Sequence, residues 1–308
     1  MRIATYIKAT LSLAALAFLA YYVDPAAMAR AAAGADPRLI VAAVILLPIN
    51  VALEGLVWHL LISRLSRATK LRDHIGALFA GYALGFFTPA RAGEFAGRAF
   101  YIRHDDRWEI AILVGAQRLF DMGVVHSVGC LATVFYIMAV DPQPVLLWRV
   151  LAAAGGVSGA ALVAASASPA TIHRILARER AFSFLRSRID FLERLSSLDG
   201  LGMLGLSFLR YGVYSTQFLL LLMAIVPNAD VSLALLGIAL VFFVKLLLPP
   251  VTLMDVGIRE GAAVFFLGSL GFPEAAALNA SLLLFTINLL VPAAAGLPLV
   301  MRLRLSNT

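Results

Sequence analysis

Long apolar runs separated by short polar segments are the main feature of the chain. A run that forms a helix at 1.5 Å per residue and crosses a hydrocarbon core of about 30 Å indicates a membrane span. A membrane β-barrel would show instead short segments of alternating apolar and polar residues. The first run is expected to be an uncleaved helix, although a signal peptide would also fit. Runs of spanning length occur at about 3–23, 39–62, 110–139, 147–168, 201–226 and 274–301.

Two further apolar regions, 74–103 and 231–271, are interrupted by proline and then become polar. The interruptions are Thr88-Pro89 and Pro249-Pro250. Proline removes a backbone donor and ends a helix, so each region is predicted to be a broken helix or a re-entrant hairpin. The alternative is that both regions simply span the membrane.

Each of these hairpins lies between two spans, which predicts two similar units at about 39–139 and 201–301. Their opposite orientations would give the inverted-repeat plan of many transporters. The predicted fold class is an all-α polytopic membrane protein, one domain over 1–308, with about six full spans plus two broken or re-entrant helical hairpins. An amphipathic segment at about 170–198 is expected to lie on the cytoplasmic lipid surface, or to be a solvated linker helix.

The cations outside the spans are distributed unevenly. If each hairpin returns to the side from which it entered, 16 of them fall on one side, and Arg30, Arg38 and Arg149 fall on the other. The positive-inside rule then makes the richer side cytoplasmic and places both termini there.

The composition supports a membrane protein. Hydrophobic residues make up 61% of the 308 positions and charged residues only 14%, against about 25% in soluble domains. This excludes a soluble globular enzyme, a disordered chain and a fibrous protein. The net charge of +7 is attributed to topology, so no nucleic-acid partner is expected. Cys130, the single cysteine, is expected to pack as a small hydrophobic residue.

Eleven charged residues map inside the membrane or at its edge. A lone charge at the bilayer centre costs about 2.5–3.5 kcal/mol, so these residues are predicted to pair or to line a hydrated cavity. Near the ends of spans, Arg98 and Arg210 are also expected to snorkel toward water. The cations are Arg91, Arg98, Arg118, Arg210, Lys245 and Arg259, and the acids are Glu54, Glu94, Asp121, Asp255 and Glu260.

The strongest clusters of these charges are TPARAGEFAGR, from Thr88, and PPVTLMDVGIREG, from Pro249. A helix that restarts after a proline break points its N-terminal amides into the membrane and attracts anions. Arg91 and Arg259 are therefore predicted to hold phosphate oxygens bidentately, with the neighbouring glutamates orienting them or titrating. The alternative is that each arginine–glutamate pair is only a buried ion pair between hairpins.

Glycines flank the acids of both clusters with a spacing that favours close packing. Gly93 and Gly97 flank Glu94 in the first cluster, and Gly257 and Gly261 flank Arg259 and Glu260 in the second. Small residues at this spacing let two backbones approach, so both hairpins are predicted to pack at these glycines.

Other polar residues lie on single spans. Asn50 and Glu54 are four apart and share a helix face, either as cavity lining or as contacts between helices. Arg118 and Asp121 are three apart and are predicted to pair with each other.

The two clusters also carry a family resemblance. TPARAGEFAGR and LPPVTLMDVGIREGA resemble the signature segments of the lysylphosphatidylglycerol-synthase transmembrane-region family, which includes the flippase part of bacterial multiple-peptide-resistance proteins. The resemblance spans about 5–301. It implies a flippase-like protein of the bacterial cytoplasmic (inner) membrane, expected in a stand-alone form without the aminoacyl-transferase domain. Met254 and Asp255 stand where the family often has a glycine pair.

On the sixth span, Tyr211, Tyr214 and Gln217 follow Arg210 and are predicted to be interfacial anchors rather than ligand contacts.

The five histidines show no ligand spacing, so no metal is expected. No phosphate-binding loop of an ATPase occurs, and no cofactor is expected.

The predicted function is translocation of an anionic or phosphate-bearing lipid between leaflets, with membrane lipids as partners. The candidates are a phospholipid, an aminoacyl-phospholipid and a polyprenyl-phosphate-linked lipid. The alternatives are an intramembrane transferase with Glu94 or Glu260 as acid or base, and a noncatalytic partner of a separate synthase; a homo-oligomer is also considered. The predicted substrate-binding residues are Arg91, Glu94, Arg98, Arg259, Glu260, Asn50, Glu54 and Asp255, supported by Arg118, Asp121, Arg210 and Lys245.

Overall fold

The fold is all-α throughout the part of the chain that the structure, a computed structural model, describes. The described residues are 21–65, 70–88, 91–102, 106–140, 146–166, 195–248 and 257–305, with isolated positions at 168, 173, 174, 189 and 193. A short π-helical segment, Thr286–Leu290, joins the last two helices. The helices are α1 Pro25–Ala33, α2 Pro37–Leu65, α3 Leu71–Phe86, α4 Gly93–Tyr101, α5 Arg107–Val140, α6 Leu146–Ser166, α7 Ser197–Ile225, α8 Val231–Leu247, α9 Ile258–Ser269, α10 Glu274–Phe285 and α11 Val291–Leu305.

Four continuous helical stretches of the described residues are long and apolar enough to cross a membrane: Pro37–Leu65, Arg107–Met138, Ser197–Ile225 and Glu274–Met301. The last of them comprises α10, the π-helical segment and most of α11. The four stretches coincide with four of the predicted spans, and α6 coincides with a fifth. The first predicted span lies mostly outside the described residues, as does most of the amphipathic segment. The prediction of an all-α polytopic membrane protein is confirmed.

Side chains of the sequence fix several helix starts. Asp230 accepts hydrogen bonds from the backbone N–H groups of Ser232 and Leu233, at 2.8 and 3.0 Å, and thereby caps α8. Ser196 and Asp199 satisfy each other's backbone N–H groups at the start of α7, which is the reciprocal capping box. These caps place the helix starts at the polar segments between apolar runs.

The first proline break becomes a tight helical hairpin. Helix α3 ends at Phe86, before Pro89, and α4 begins at Gly93. Between them the hydroxyl of Thr88 accepts from the N–H of Gly93 at 2.6 Å. A Cβ at Gly93 would lie 2.1 Å from the carbonyl oxygen of Leu84, so only glycine lets the two arms approach this closely.

The second proline break also separates two helices, α8 and α9, but its glycines act differently. Gly257 has a φ of 100°, a left-handed conformation that favours glycine, and it leads into α9. A Cβ at Gly261 would meet nothing within 4 Å among the described residues, so the predicted close packing of α8 on this residue is not found. The arms instead approach at Gly237, where a Cβ would lie 2.5 Å from the side chain of Leu267.

The helices pack in a reciprocal pattern. Helices α2 and α7 pack side by side. Helix α3 of the first hairpin packs on α11, and α8 of the second hairpin packs on α5. Each second hairpin arm packs on the helix that follows it, α4 on α5 and α9 on α10. Both hairpins are therefore held between helices from the two halves of the chain.

Two buried apolar clusters support the hairpins from either end. One joins α7 to α10 around Phe218, Ile238 and Leu267. The other joins α2, α5 and α7 around Trp58 and Met203, and Ile189 and Leu195 also pack into it. Between the clusters the structure is polar, and the candidate site lies there.

Candidate functional site

A cavity of about 420 Å³ opens between the hairpins and the long helices. A volume of this size is within the range of small-molecule sites. Among the described residues, its polar lining is mostly positive, with five cations and the acid Asp121. The cations are Arg91, Arg118, Arg210, Lys245 and Arg259, and the other polar lining residues are Asn50, Tyr82, Tyr214 and Asn288.

Behind the cavity wall, Arg98 of α4 is fully buried and joins three helices. Its guanidinium donates to Glu54 of α2 at 2.7 Å and to Glu94 of α4 at 2.5 Å. It also donates to the side-chain oxygen of Gln117 on α5 at 2.6 Å and lies over the ring of Trp58. Arg98 was expected to snorkel, but its carboxylate partners lie inside the bundle, so that prediction is wrong.

Arg210 of α7 connects this buried network to the cavity. It donates to Glu54 and to Asp121, both at 2.5 Å, and to the side-chain oxygen of Asn50 at 3.1 Å. Asn50 in turn donates to Asn288 of the π-helical segment at 2.6 Å. Arg210 therefore also points inward rather than snorkelling, because its acceptors are inside.

Glu94 is shared by the arginines of the first motif. Arg118 donates to it at 2.9 Å and also donates to the backbone carbonyl of Arg91 at 3.1 Å. Arg91 forms a longer ion pair with Glu94, at 3.3 Å. Arg118 thus pairs with Glu94 and Asp121 pairs with Arg210, whereas the sequence predicted that Arg118 and Asp121 pair with each other. Helices α4 and α7 supply better-placed partners than the neighbouring helix turn.

The second motif forms a smaller network. Arg259 donates to Glu260 and to the hydroxyl of Ser281 on α10, the latter at 3.0 Å. Glu260 is fully buried and also accepts from the backbone N–H of Gly257 at 2.8 Å. Asp255, which was also predicted to bind substrate, lies outside the described residues.

The predicted substrate-binding residues separate into two groups. Arg91, Arg259 and Asn50 line the cavity, together with all four of the predicted supporting residues. Glu54, Glu94, Glu260 and Arg98 are buried behind them and bind the other site residues. The cavity therefore presents cations, and the acids hold those cations in place from behind.

The tyrosines of α7 are not interfacial anchors. Tyr211 is buried in the apolar cluster and Tyr214 lines the cavity. Gln217 is fully buried and donates to the backbone carbonyl of Ala43 at 2.9 Å. The helix turns this face toward α2 rather than toward the membrane surface.

Three site residues were missed from the sequence. Tyr82 donates to Glu54 at 2.6 Å, Asn288 pairs with Asn50, and Ser281 binds Arg259. The signal available for all three is an isolated polar residue within an apolar run. That signal is weak, because such residues often only contact neighbouring helices in membrane proteins.

One family model matches residues 6–296, that of the lysylphosphatidylglycerol synthase TM region. The chain belongs to this family. Membership links it to membrane lipids and agrees with the apolar helices, so it is an integral membrane protein. No curated protein and no solved structure matches the chain significantly.

Proposed function

We propose that this family member translocates a lipid with an anionic, phosphate-bearing head group between the leaflets of the bacterial inner membrane, with both termini cytoplasmic. The observation that carries the proposal is the cavity between the two broken hairpins, whose described lining includes five cations and the acid Asp121. Acids bind these arginines from behind, so a ligand that meets the cations from the cavity is expected to be anionic. Membership of a family associated with lipid supports a lipid as that ligand.

The arrangement of helices suits such a role. Broken helices meeting at a central site are common in transporters, where they move relative to the surrounding helices. Here α3 and α8, the first arms of the hairpins, each pack on a helix from the other half of the chain. A shift of one hairpin would open the cavity toward one leaflet while the other hairpin keeps it closed.

The test is a leaflet-specific flipping assay in liposomes that contain the purified protein. The panel comprises phosphatidylglycerol, an aminoacyl-phosphatidylglycerol and a polyprenyl phosphate, each with a reporter group that is reduced only from outside. We expect the protein to flip at least one anionic lipid faster than protein-free liposomes do. Flipping of none of them would contradict the proposal.

A cavity-filling variant links this activity to the site. Met122 lines the cavity on α5, whereas Leu119, one turn earlier and similarly exposed, does not line it. Met122→Trp is expected to slow flipping because the indole occupies the space of the head group, and Leu119→Trp is expected to leave the rate unchanged. Equal rates for both variants would place the transport path elsewhere.

A further inference from the structure

The acids of the site differ in how they meet the cavity. The side chains of Glu54, Glu94 and Glu260 are at most 5% exposed and lie behind the cationic lining. The side chain of Asp121 is 28% exposed and lines the cavity itself. Among the described acids, Asp121 is therefore the one that a ligand in the cavity meets.

The same acids differ in the number of arginines that hold them. Glu54 accepts from two arginines, Arg98 at 2.7 Å and Arg210 at 2.5 Å. Glu94 likewise accepts from two arginines. In the described part of the chain Asp121 has one ion pair, with the Nη1 of Arg210 at 2.5 Å. Nearby opposite charges keep a carboxylate ionised, so the charge of Asp121 depends on this single donor.

Arg210 is held so that one of its nitrogens can change partner while the others stay fixed. Its Nη2 donates to the buried Glu54 at 2.5 Å, and its Nε donates to Asn50 at 3.1 Å. Its Nη1 donates to Asp121, on the wall of the cavity. An anionic ligand that reaches Arg210 from the cavity therefore competes with Asp121 for Nη1, and the other two contacts keep the guanidinium in place.

This competition brings two anions to one arginine. Like charges at such a short distance do not both stay ionised, and in paired carboxylates one of the two takes up a proton. A carboxylate is a stronger base than a phosphate diester, so the proton goes to Asp121. It comes from the water that enters the cavity and forms an O–H bond on a carboxylate oxygen. Nη1 of Arg210 then donates to a phosphate oxygen instead.

The other groups around Asp121 hold their protons at neutral pH, because arginine, lysine and tyrosine lose one only in more alkaline solution. Toward α6, the titratable group of α5 is His126, which hydrogen-bonds to Ser158 at 2.9 Å and does not line the cavity. Behind the lining lie the acids Glu54 of α2 and Glu94 of α4. The groups that share the cavity with Asp121 are Arg210 and Tyr214 of α7, Tyr82 of α3, Arg118 of α5, Lys245 of α8, Arg259 of α9 and Arg91.

We propose that Asp121 couples the lipid to a proton: an anionic head group displaces Asp121 from Arg210, and the carboxylate takes up one proton as the head group binds. This inference rests on the proposed function. The ligand brings one negative charge and the proton one positive charge, so the net charge of the site is the same before and after binding. Because an uncompensated charge inside the membrane is costly, the two then cross together, and a proton gradient drives the lipid toward the less acidic side.

The first experiment counts protons on binding. The shared chemistry is a phosphate diester with one negative charge, from either a lipid head group or a free ester. The probe is glycerophosphoglycerol, a diester that does not titrate near neutral pH as a phosphate monoester does. Its binding to the full chain in detergent is measured by calorimetry in two buffers with different heats of ionisation. The variants are Asp121→Asn and, as a control for an exposed acid outside the cavity, Glu274→Gln.

The wild type is expected to take up about one proton per ester, and its Kd to rise at least about tenfold from about pH 6 to about pH 8. The sign follows because Asp121 carries the proton only in the complex, so a lower pH favours binding. Asp121→Asn is neutral at every pH, so it should take up no proton and bind at about pH 8 as tightly as the wild type does at about pH 6. Glu274→Gln should behave as the wild type.

The second experiment measures flipping of phosphatidylglycerol in liposomes with an imposed pH gradient, after subtraction of the rate in protein-free liposomes. In the wild type, flipping toward the alkaline side is expected to exceed flipping toward the acidic side at least about threefold, as coupling to one proton predicts. In Asp121→Asn the two rates should be equal. Thermal unfolding checks that the variant is folded, and if it is not, the proton count and the gradient response of the wild type decide.

The outcomes separate this inference from the proposed function. If the wild type flips lipid equally in both directions and binds the ester without proton uptake, the inference is overturned and lipid flipping stands. Proton uptake by Asp121→Asn equal to that of the wild type also overturns it. If the ester binds with a proton but no lipid is flipped, the inference stands and the proposed function falls. If lipid is flipped but the free ester does not bind, the lipid head group is the source and the gradient response decides. Neither binding nor flipping by the wild type overturns both.

Discussion

Two arginines of one short motif have opposite surroundings at the level of the residue. Arg98 is fully buried and binds Glu54, Glu94 and Gln117, whereas Arg91 lines the cavity and forms only a longer ion pair with Glu94, at 3.3 Å. Because a buried charge without its partner is costly, the first arginine is expected to control stability. The second is expected to control ligand binding.

Arg98→Met tests this division. The change leaves Glu54 and Glu94 buried with one cation fewer, so we expect the free energy of unfolding to fall by about 3–5 kcal/mol, as for other broken buried pairs. Chemical unfolding in detergent measures it. The control is Arg30→Met, an exposed arginine 3.8 Å from Asp24, for which a change within about 0.5 kcal/mol is expected. Equal changes in the two variants would refute a structural role for Arg98.

Which charged residues meet at one cavity was largely predictable, but their pairing was not. Charges in apolar runs are visible in the sequence, and five of the six intramembrane cations line one cavity. Spacing along a helix predicted that Arg118 pairs with Asp121. The partners come from distant helices instead, as with Arg210 and Glu54, which are 156 residues apart. Such pairs depend on tertiary packing, which a single sequence does not reveal.

At the level of elements, proline position predicted both hairpins, whereas glycine spacing predicted only one of them. Helices α3 and α8 end shortly before their prolines, which lack a backbone donor and disfavour helical geometry at the preceding residue, although Pro48 lies inside α2 without ending it. The packing of the arms depends on which face each glycine occupies, and Gly261 has no close neighbour in the described part of the chain. The π-helical segment Thr286–Leu290 contains neither glycine nor proline, so no pattern in the sequence indicates it.

Alanine at Gly97 and at Gly261 provides a matched comparison of the two hairpins. A Cβ at Gly97 would lie 2.5 Å from the carbonyl oxygen of Ala80, so we expect Gly97→Ala to destabilise the protein by about 1–3 kcal/mol, as overpacking does. The new Cβ of Gly261→Ala meets no described residue within 4 Å, so this change is expected to be neutral or to stabilise α9 by up to about 1 kcal/mol. Thermal unfolding in detergent measures both. A destabilised Gly261→Ala with an unchanged Gly97→Ala would reverse the assignment.

At the level of the whole molecule, the packing of one half of the chain is repeated in the other. The first hairpin arm of each half packs on the last long helix of the other half, α3 on α11 and α8 on α5. The first long helices of the two halves, α2 and α7, pack together. A two-fold relation between the halves would produce this pattern. We propose that the relation is inverted, because a topology in which each hairpin returns to the side from which it entered places 16 of the 19 cations outside the spans on one side of the membrane.

Cysteine labelling from the two sides of the membrane tests the inverted arrangement. Cys130 is buried and is the single cysteine of the chain, so Cys130→Ala provides the background. Cysteines that replace Asn228 and Glu274, the exposed residues flanking the second hairpin, are expected to react only from outside. Cysteines that replace Arg72 and Arg107, which flank the first hairpin, are expected to react only from the cytoplasm.

This expectation is specific because a hairpin and a full span give opposite results at its ends. A re-entrant region leaves both flanks on one side, whereas a spanning region places them on different sides. Labelling of positions 228 and 274 from different sides would therefore refute the second hairpin. Labelling of 72 and 228 from the same side would refute the inversion, because the two hairpins would then enter from one face of the membrane. Either result would remove the basis for a cavity that opens alternately to the two leaflets.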